Sequence, residues 1–132
     1  LTPTHVRFSA AMERIDSSMS RAATPADDVI VLLTWGDGSR GSLGHGLTTN
    51  ELLPRVVTSL LRHRLHSVCC GGGATFVRAA SGEVYSCGSS GYGLLGQGDA
   101  KGLVCVPQRV RGLHGQLSLA CGDRHAAAVG AG

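Results

Sequence analysis

Apolar residues along this chain fall into short runs broken by glycine-rich polar stretches. From residue 29 onward the runs are Val29 to Trp35, Arg55 to Thr58, Leu65 to Cys70, Thr75 to Ala79, Val84 to Cys87, Gln108 to Val110, Leu117 to Ala120 and Ala126 to Val129. Their lengths and valine content predict antiparallel β-strands rather than helices. Ser81-Gly82, between Ala80 and Glu83, predicts a hairpin turn. The first 28 residues have a different texture. Phe8, Met12, Ile15 and Met19 are spaced 4, 3 and 4 apart, which predicts a short helix with Thr4 as its cap, or a disordered arm where that stripe finds nothing to dock on. Arg21 to Asp28, with Pro25, reads as a linker. The predicted organisation is therefore an arm and linker over 1–28, followed by repeats over 29–132.

The glycine-rich stretches are copies of one another. Trp35-Gly-Asp-Gly-Ser-Arg-Gly-Ser-Leu-Gly-His-Gly46 and Cys87-Gly-Ser-Ser-Gly-Tyr-Gly-Leu-Leu-Gly-Gln-Gly98 lie 52 positions apart. Gly36 and Gly88, Gly41 and Gly93, Leu43 and Leu95, Gly44 and Gly96, and Gly46 and Gly98 all fall in register. Each copy continues to a proline and valine, Pro54-Arg-Val56 and Pro107-Gln-Arg-Val110. Each then reaches a Cys-Gly pair, Cys70-Gly71 and Cys121-Gly122, 51 positions apart. A repeat of this length built from short strands belongs to a solenoid or propeller. Leu43 and Leu95 are the expected plugs between adjacent sheets.

These motifs resemble the repeats of the regulator-of-chromosome-condensation family over roughly residues 29 to 129. The pattern departs from the family's where Cys87 stands for the usual tryptophan and Ala74 for the usual histidine, whose match in the second copy is His125. The resemblance implies an all-β, incomplete β-propeller: about two four-stranded antiparallel blades of a seven-bladed type. Two blades alone expose strand edges, so a longer protein or a ring-completing partner is expected. The resemblance further implies a protein-interaction surface, with regulation of a small GTPase, guanine-nucleotide exchange and chromatin association as its more specific versions. It gives His125 a structural role, hydrogen-bonding nearby loop backbone.

Composition narrows the alternatives. A 42% hydrophobic fraction suits a folded core, and no apolar run approaches the ~20 residues of a membrane helix. An intracellular protein, in cytoplasm or nucleus, is expected. The net charge of +3 is carried almost entirely by arginine, Lys101 being the single lysine, which favours acidic protein partners over nucleic acid. The densest basic stretch, Arg55, Arg62, His63, Arg64 and His66, is the candidate partner-binding rim.

Catalytic chemistry finds little support. Gly36 to Gly41 and Gly91 to Gly96 both satisfy Gly-x-Gly-x-x-Gly, but further glycines and then a proline interrupt the helix that phosphate binding needs. Cys69 or Cys70 with His63 or His66 lacks the required proximity on an extended strand. The histidines have no metal-ligand spacing, and the five cysteines suggest neither a disulfide framework nor a zinc knuckle, Cys70 and Cys121 reading as buried small side chains. No cofactor, metal or catalytic residue is assigned.

Overall fold

The computed structural model describes residues 9–15, 29–99 and 102–131. Among them are nine strands: β1 (Ser9–Ile15), β2 (Val29–Gly36), β3 (Glu51–Val56), β4 (Leu65–Gly71), β5 (Ala74–Ala79), β6 (Val84–Ser89), β7 (Leu103–Arg109), β8 (Gln116–Cys121) and β9 (Ala126–Gly130). They form three antiparallel sheets in the orders β1-β2-β3, β4-β5-β6-β7 and β8-β9. The molecule is thus an incomplete propeller with one four-stranded sheet between two smaller ones. No helix among the described residues is long and apolar enough to cross a membrane.

The sequence repeat and the sheets are out of step. The β4-β5 hairpin lies in one repeat copy with β2 and β3, yet it pairs with β6 and β7 of the next copy. Each copy therefore supplies the last two strands of one sheet and the first two of the following sheet. This phase explains why the expected pair of four-stranded blades is instead divided into three, four and two strands.

Ser9–Ile15 corrects the helical reading of the arm. These residues pair with β2 in unbroken register from Ser9 opposite Trp35 to Ile15 opposite Val29. The helical stripe rested partly on Phe8 and Met19, which lie outside the described residues. What decides the strand is a ladder: β2 has a second edge of backbone N–H and C=O groups to satisfy, and β1 does for β2 what β5 does for β6.

Two other strands are longer than their apolar patterns suggest. Pro54 and Pro107 look like boundaries but sit inside β3 and β7. Both strands lie at the end of their sheet. Val57 donates its N–H to Leu32 O at 2.9 Å, so by alternation position 54 faces away from β2. A missing proline N–H there costs no ladder bond, and it leaves the edge a poor template for pairing with another chain.

Each seam between sheets is filled from both sides. In the first, Leu32, Val57 and Leu60 pack with Leu65, Val77, Ala79 and Tyr85. In the second, Ala74, Phe76, Val84, Leu94, Leu95 and Val110 pack together, with Leu113, Leu119 and Cys121 closing over them. Leu43 and Leu95 are each only 1% exposed, as expected of the plugs.

The plugs are held by a hydrogen-bond set that repeats with the sequence. Thr34 Oγ1 donates to Leu43 O at 2.6 Å, and Ser86 Oγ donates to Leu95 O at 2.8 Å. A second side chain then binds each hydroxyl: His45 Nε2 lies 2.9 Å from Thr34 Oγ1, and Gln97 Nε2 donates to Ser86 Oγ at 2.8 Å. All three pairs of positions are separated by the 52-residue period.

Gly36 and Gly88 occupy the matching bulges that turn β2 and β6 into these loops. At Gly88 φ is +119°, and a Cβ would stand 2.2 Å from Gly73 O. Gly88→Ala is therefore expected to destabilise the fold by roughly 2–4 kcal/mol through both strain and overlap. Leu95→Ala is expected to cost about 2–5 kcal/mol. Denaturant melts of each variant against the parent check both values.

Candidate functional site

The antiparallel order gives the molecule two unlike rims. One carries the linkers between sheets, β3–β4 and β7–β8, with the β5–β6 hairpin between them. The other carries the long β2–β3 and β6–β7 loops with the β4–β5 and β8–β9 turns.

The linker rim gathers arginine. Arg62 and Arg64 lie on the β3–β4 linker, Arg109 ends β7 and Arg111 begins the β7–β8 linker; Arg62, Arg64 and Arg111 are exposed. Arg78, near the end of β5, is buried; its Nε donates to the Gln116 carbonyl, while its NH1 has no protein partner. Glu83 is the one carboxylate at this rim among the described residues. Its two oxygens are occupied: Oε1 is 2.9 Å from Arg109 NH2, and Oε2 accepts the Tyr85 hydroxyl at 3.2 Å. The Tyr85 oxygen is also 3.3 Å from His63 Nδ1, with the two rings 4.7 Å apart and tilted by 46°. A chain from His63 through Tyr85 and Glu83 to Arg109 thus ties the β3–β4 linker to the four-stranded sheet. Burial, then the neighbouring Glu83 charge, pushes the Tyr85 phenol above its ordinary range, so the hydroxyl stays protonated to donate.

Of the rim residues expected from sequence, Arg62, His63 and Arg64 come together on this linker. Arg55 stands apart: it lies on β3 and its NH1 pairs with Glu51 Oε1 at 2.5 Å. Arg109, Arg111 and His114 were missed by reading one dense basic stretch. The repeat held the signal, because Leu61-Arg62 and Leu113-His114 stand 52 positions apart on equivalent linkers.

The loop rim is mixed in charge, with Asp37, Asp99 and Asp123 against Arg40 and Arg124. Tyr92 projects from it, 81% exposed, at a left-handed φ of 59°. The Arg124 guanidinium lies 5.1 Å from the Tyr92 ring centre. Arg40, the equivalent of Tyr92, lies over Gly73 of the β4–β5 turn in the next sheet. His125 is exposed, and its main-chain carbonyl closes the β8–β9 turn by accepting the Gly122 N–H at 2.8 Å.

Two of the free thiols are held protonated. Burial raises the Cys70 thiol above its ordinary value, and burial together with Cys70 and Cys105 raises Cys87 to about 12, so neither is poised as a thiolate near neutral pH. Cys69 is bonded to Cys121 across the second seam, with Cα atoms 6.1 Å apart. This overturns the reading of Cys121 as a buried thiol. Neighbouring first strands of successive sheets bring the pair together, a proximity that no local spacing encodes. No cluster of metal-binding side chains occurs among the described residues.

Burial, then Arg55, lowers the His45 imidazole below its ordinary 6.5. Thr34 gives its proton to Leu43 O, so His45 serves as the donor from Nε2 and can do so while neutral. A lowered folded value means that the unfolded chain takes up the proton more readily. Stability is therefore expected to hold above about pH 6.5 and to fall as pH drops below it. In His45→Gln, which copies Gln97, that part of the acid sensitivity should vanish; urea melts between pH 7.5 and 5.5 compare the two.

The sequence profile of the "Regulator of chromosome condensation (RCC1) repeat" matches residues 31–78 and 81–129. The chain is 38% identical over 117 residues to the human E3 ubiquitin-protein ligase HERC2, covering 86% of this chain and 2% of that protein. It is also 38% identical over 102 residues to the ultraviolet-B receptor UVR8 of Arabidopsis thaliana, covering 75% and 23%. Among solved structures, Prp20p of Saccharomyces cerevisiae superposes with a TM-score of 0.69 at 18% identity over 78% of this chain and 28% of that one. Human WBSCR16 gives 0.62 at 21% identity, over 79% and 29%. The chain thus spans a small part of each relative. With two matched copies, the strand order they produce and the shared fold, this protein belongs to the RCC1 repeat family, as an RCC1-like interaction module.

Proposed function

We propose that the linker rim is the partner-binding surface of this module and that it takes a carboxylate-rich segment of another protein. The observation that carries the reading is the segregation of arginine: Arg62, Arg64 and Arg111 are exposed at one end, and the single carboxylate there among the described residues is already engaged by Arg109 and Tyr85. Rigid sheets present such linkers in fixed positions, as suits recognition, and arginine's planar fork pairs with carboxylates through two bonds. Leu61, 47% exposed, adds an apolar contact among the arginines. That favours a peptide over a phosphate backbone.

The more specific version is regulation of a small GTPase. Structures of yeast Prp20p address its binding to Gsp1p and histones, and its complex with Kap60. An exchange factor acts by favouring the nucleotide-free state of its partner, which needs a shaped surface and no bond-making chemistry. The same reading places the protein in the cytoplasm or nucleus.

The test uses the full-length protein and a fluorescent glutamate-rich peptide. Binding is expected to weaken steeply with salt. It should weaken at least tenfold in Arg62→Ala/Arg64→Ala/Arg111→Ala, with the melting temperature unchanged. Equal binding by parent and variant removes the rim from the reading; tighter binding of duplex DNA redirects it to nucleic acid. Accelerated release of a fluorescent guanine nucleotide from Gsp1p supports the exchange version, and an unchanged rate removes that version while leaving the interaction module in place.

A further inference from the structure

The second seam is built differently from the first. At the first, Thr75 Oγ1 reaches across to donate to Ser42 O at 2.7 Å, a buried bond between two sheets. The equivalent position at the second seam, 52 residues later, is Ala127, which has no hydroxyl to offer. Among the described residues, the direct polar ties of β8 to the four-stranded sheet and its hairpin are those at its first residue: Arg78 Nε to Gln116 O, and Gln116 N to Gly82 O at 3.2 Å. At the other end of β8 stands the Cys69–Cys121 bond, whose sequence separation equals the repeat period. It joins matching strands of adjacent sheets.

The bond is also reachable. Cys69 and Cys121 are both only half-buried, and Cys69 lines an open cavity of about 250 Å³ with Phe76, Leu95, Leu119 and Ala127. The remaining cysteines, Cys70, Cys87 and Cys105, are free thiols. Beyond Cys121 the chain passes directly into the β8–β9 turn. That turn stacks on Gly71 and Gly72, and it places Arg124 over Tyr92.

We propose that Cys69 and Cys121 form a reversible redox staple that locks β8-β9 against the four-stranded sheet when oxidised and lets this hairpin and its Tyr92–Arg124 contact loosen when reduced. Closure takes two electrons and two protons from the thiols. With hydrogen peroxide as oxidant, one sulfur takes an oxygen to become a sulfenic acid and releases water. The other sulfur then displaces that hydroxyl, releasing a second water as the S–S bond forms. Opening needs a dithiol, which attacks one sulfur, passes through a mixed disulfide and closes on itself. The staple is independent of the partner proposed for the linker rim, because it lies at the opposite end of β8.

The test treats the full-length protein with hydrogen peroxide or with dithiothreitol, blocks remaining thiols with N-ethylmaleimide in denaturant, and maps the peptides by mass. Peroxide should yield a cross-linked Cys69–Cys121 peptide pair with Cys70, Cys87 and Cys105 alkylated, and dithiothreitol should return the pair to alkylated thiols. In parallel, amide hydrogen exchange over 116–130 should quicken roughly tenfold on reduction. Cys69→Ser should exchange at the faster rate under both conditions, while Cys70→Ser should keep the redox response. Alkylation of both Cys69 and Cys121 after peroxide, a cross-link that dithiothreitol leaves intact in the native protein, or exchange over 116–130 that ignores reduction would each overturn the staple.

Discussion

A sheet that is apolar on both faces has to be covered on both, and the rest of this structure follows from that requirement. In the four-stranded sheet, Val77 and Tyr85 face the first sheet while Phe76 and Val84 face the third. No strand here can fold alone. The recurring loop meets the requirement locally: it leaves β2 or β6 through a glycine bulge, doubles back and inserts a leucine beneath the neighbouring sheet. Thr34 and Ser86 satisfy the carbonyls of those leucines, which would otherwise be buried without partners. Packing and polar satisfaction are thus achieved by one repeated device.

Much of this is legible in the amino-acid sequence. The 52-residue period pointed to the architecture, and Leu43 and Leu95, singled out by their register, are buried as plugs. Legibility failed where a residue's meaning depends on its neighbour in space. Pro54 and Pro107 read as strand boundaries because nothing local says that their strands lie at an edge. Met12 and Ile15 fit a helical stripe, but the unfilled ladder beside β2 outweighs spacing when an arm can supply a partner. Cys121 looks like Cys70's counterpart, yet its bond is to Cys69.

The site was legible by halves. A run of basic letters located Arg62, His63 and Arg64, but the same count drew in Arg55, whose charge is spent on Glu51 four residues away. Arg109 belongs to the surface through Glu83 and Tyr85, a relay assembled from β6, β7 and the hairpin before β6. His45 shows the reverse situation. Nothing beside it in the chain gives it a role, and only alignment with Gln97 marks it as a donor to a structural hydroxyl.

The offset between repeat and sheet has a mechanical consequence. Because each covalent unit is shared between two neighbouring sheets, like a roof tile lapped over the next, the joint between consecutive units is a hydrogen-bonded ladder rather than a loose tether. Tension along the chain must unzip β5 from β6, bond by bond, before one unit can part from the next. Gain or loss of a whole unit during evolution would leave every ladder with a matching edge to close against.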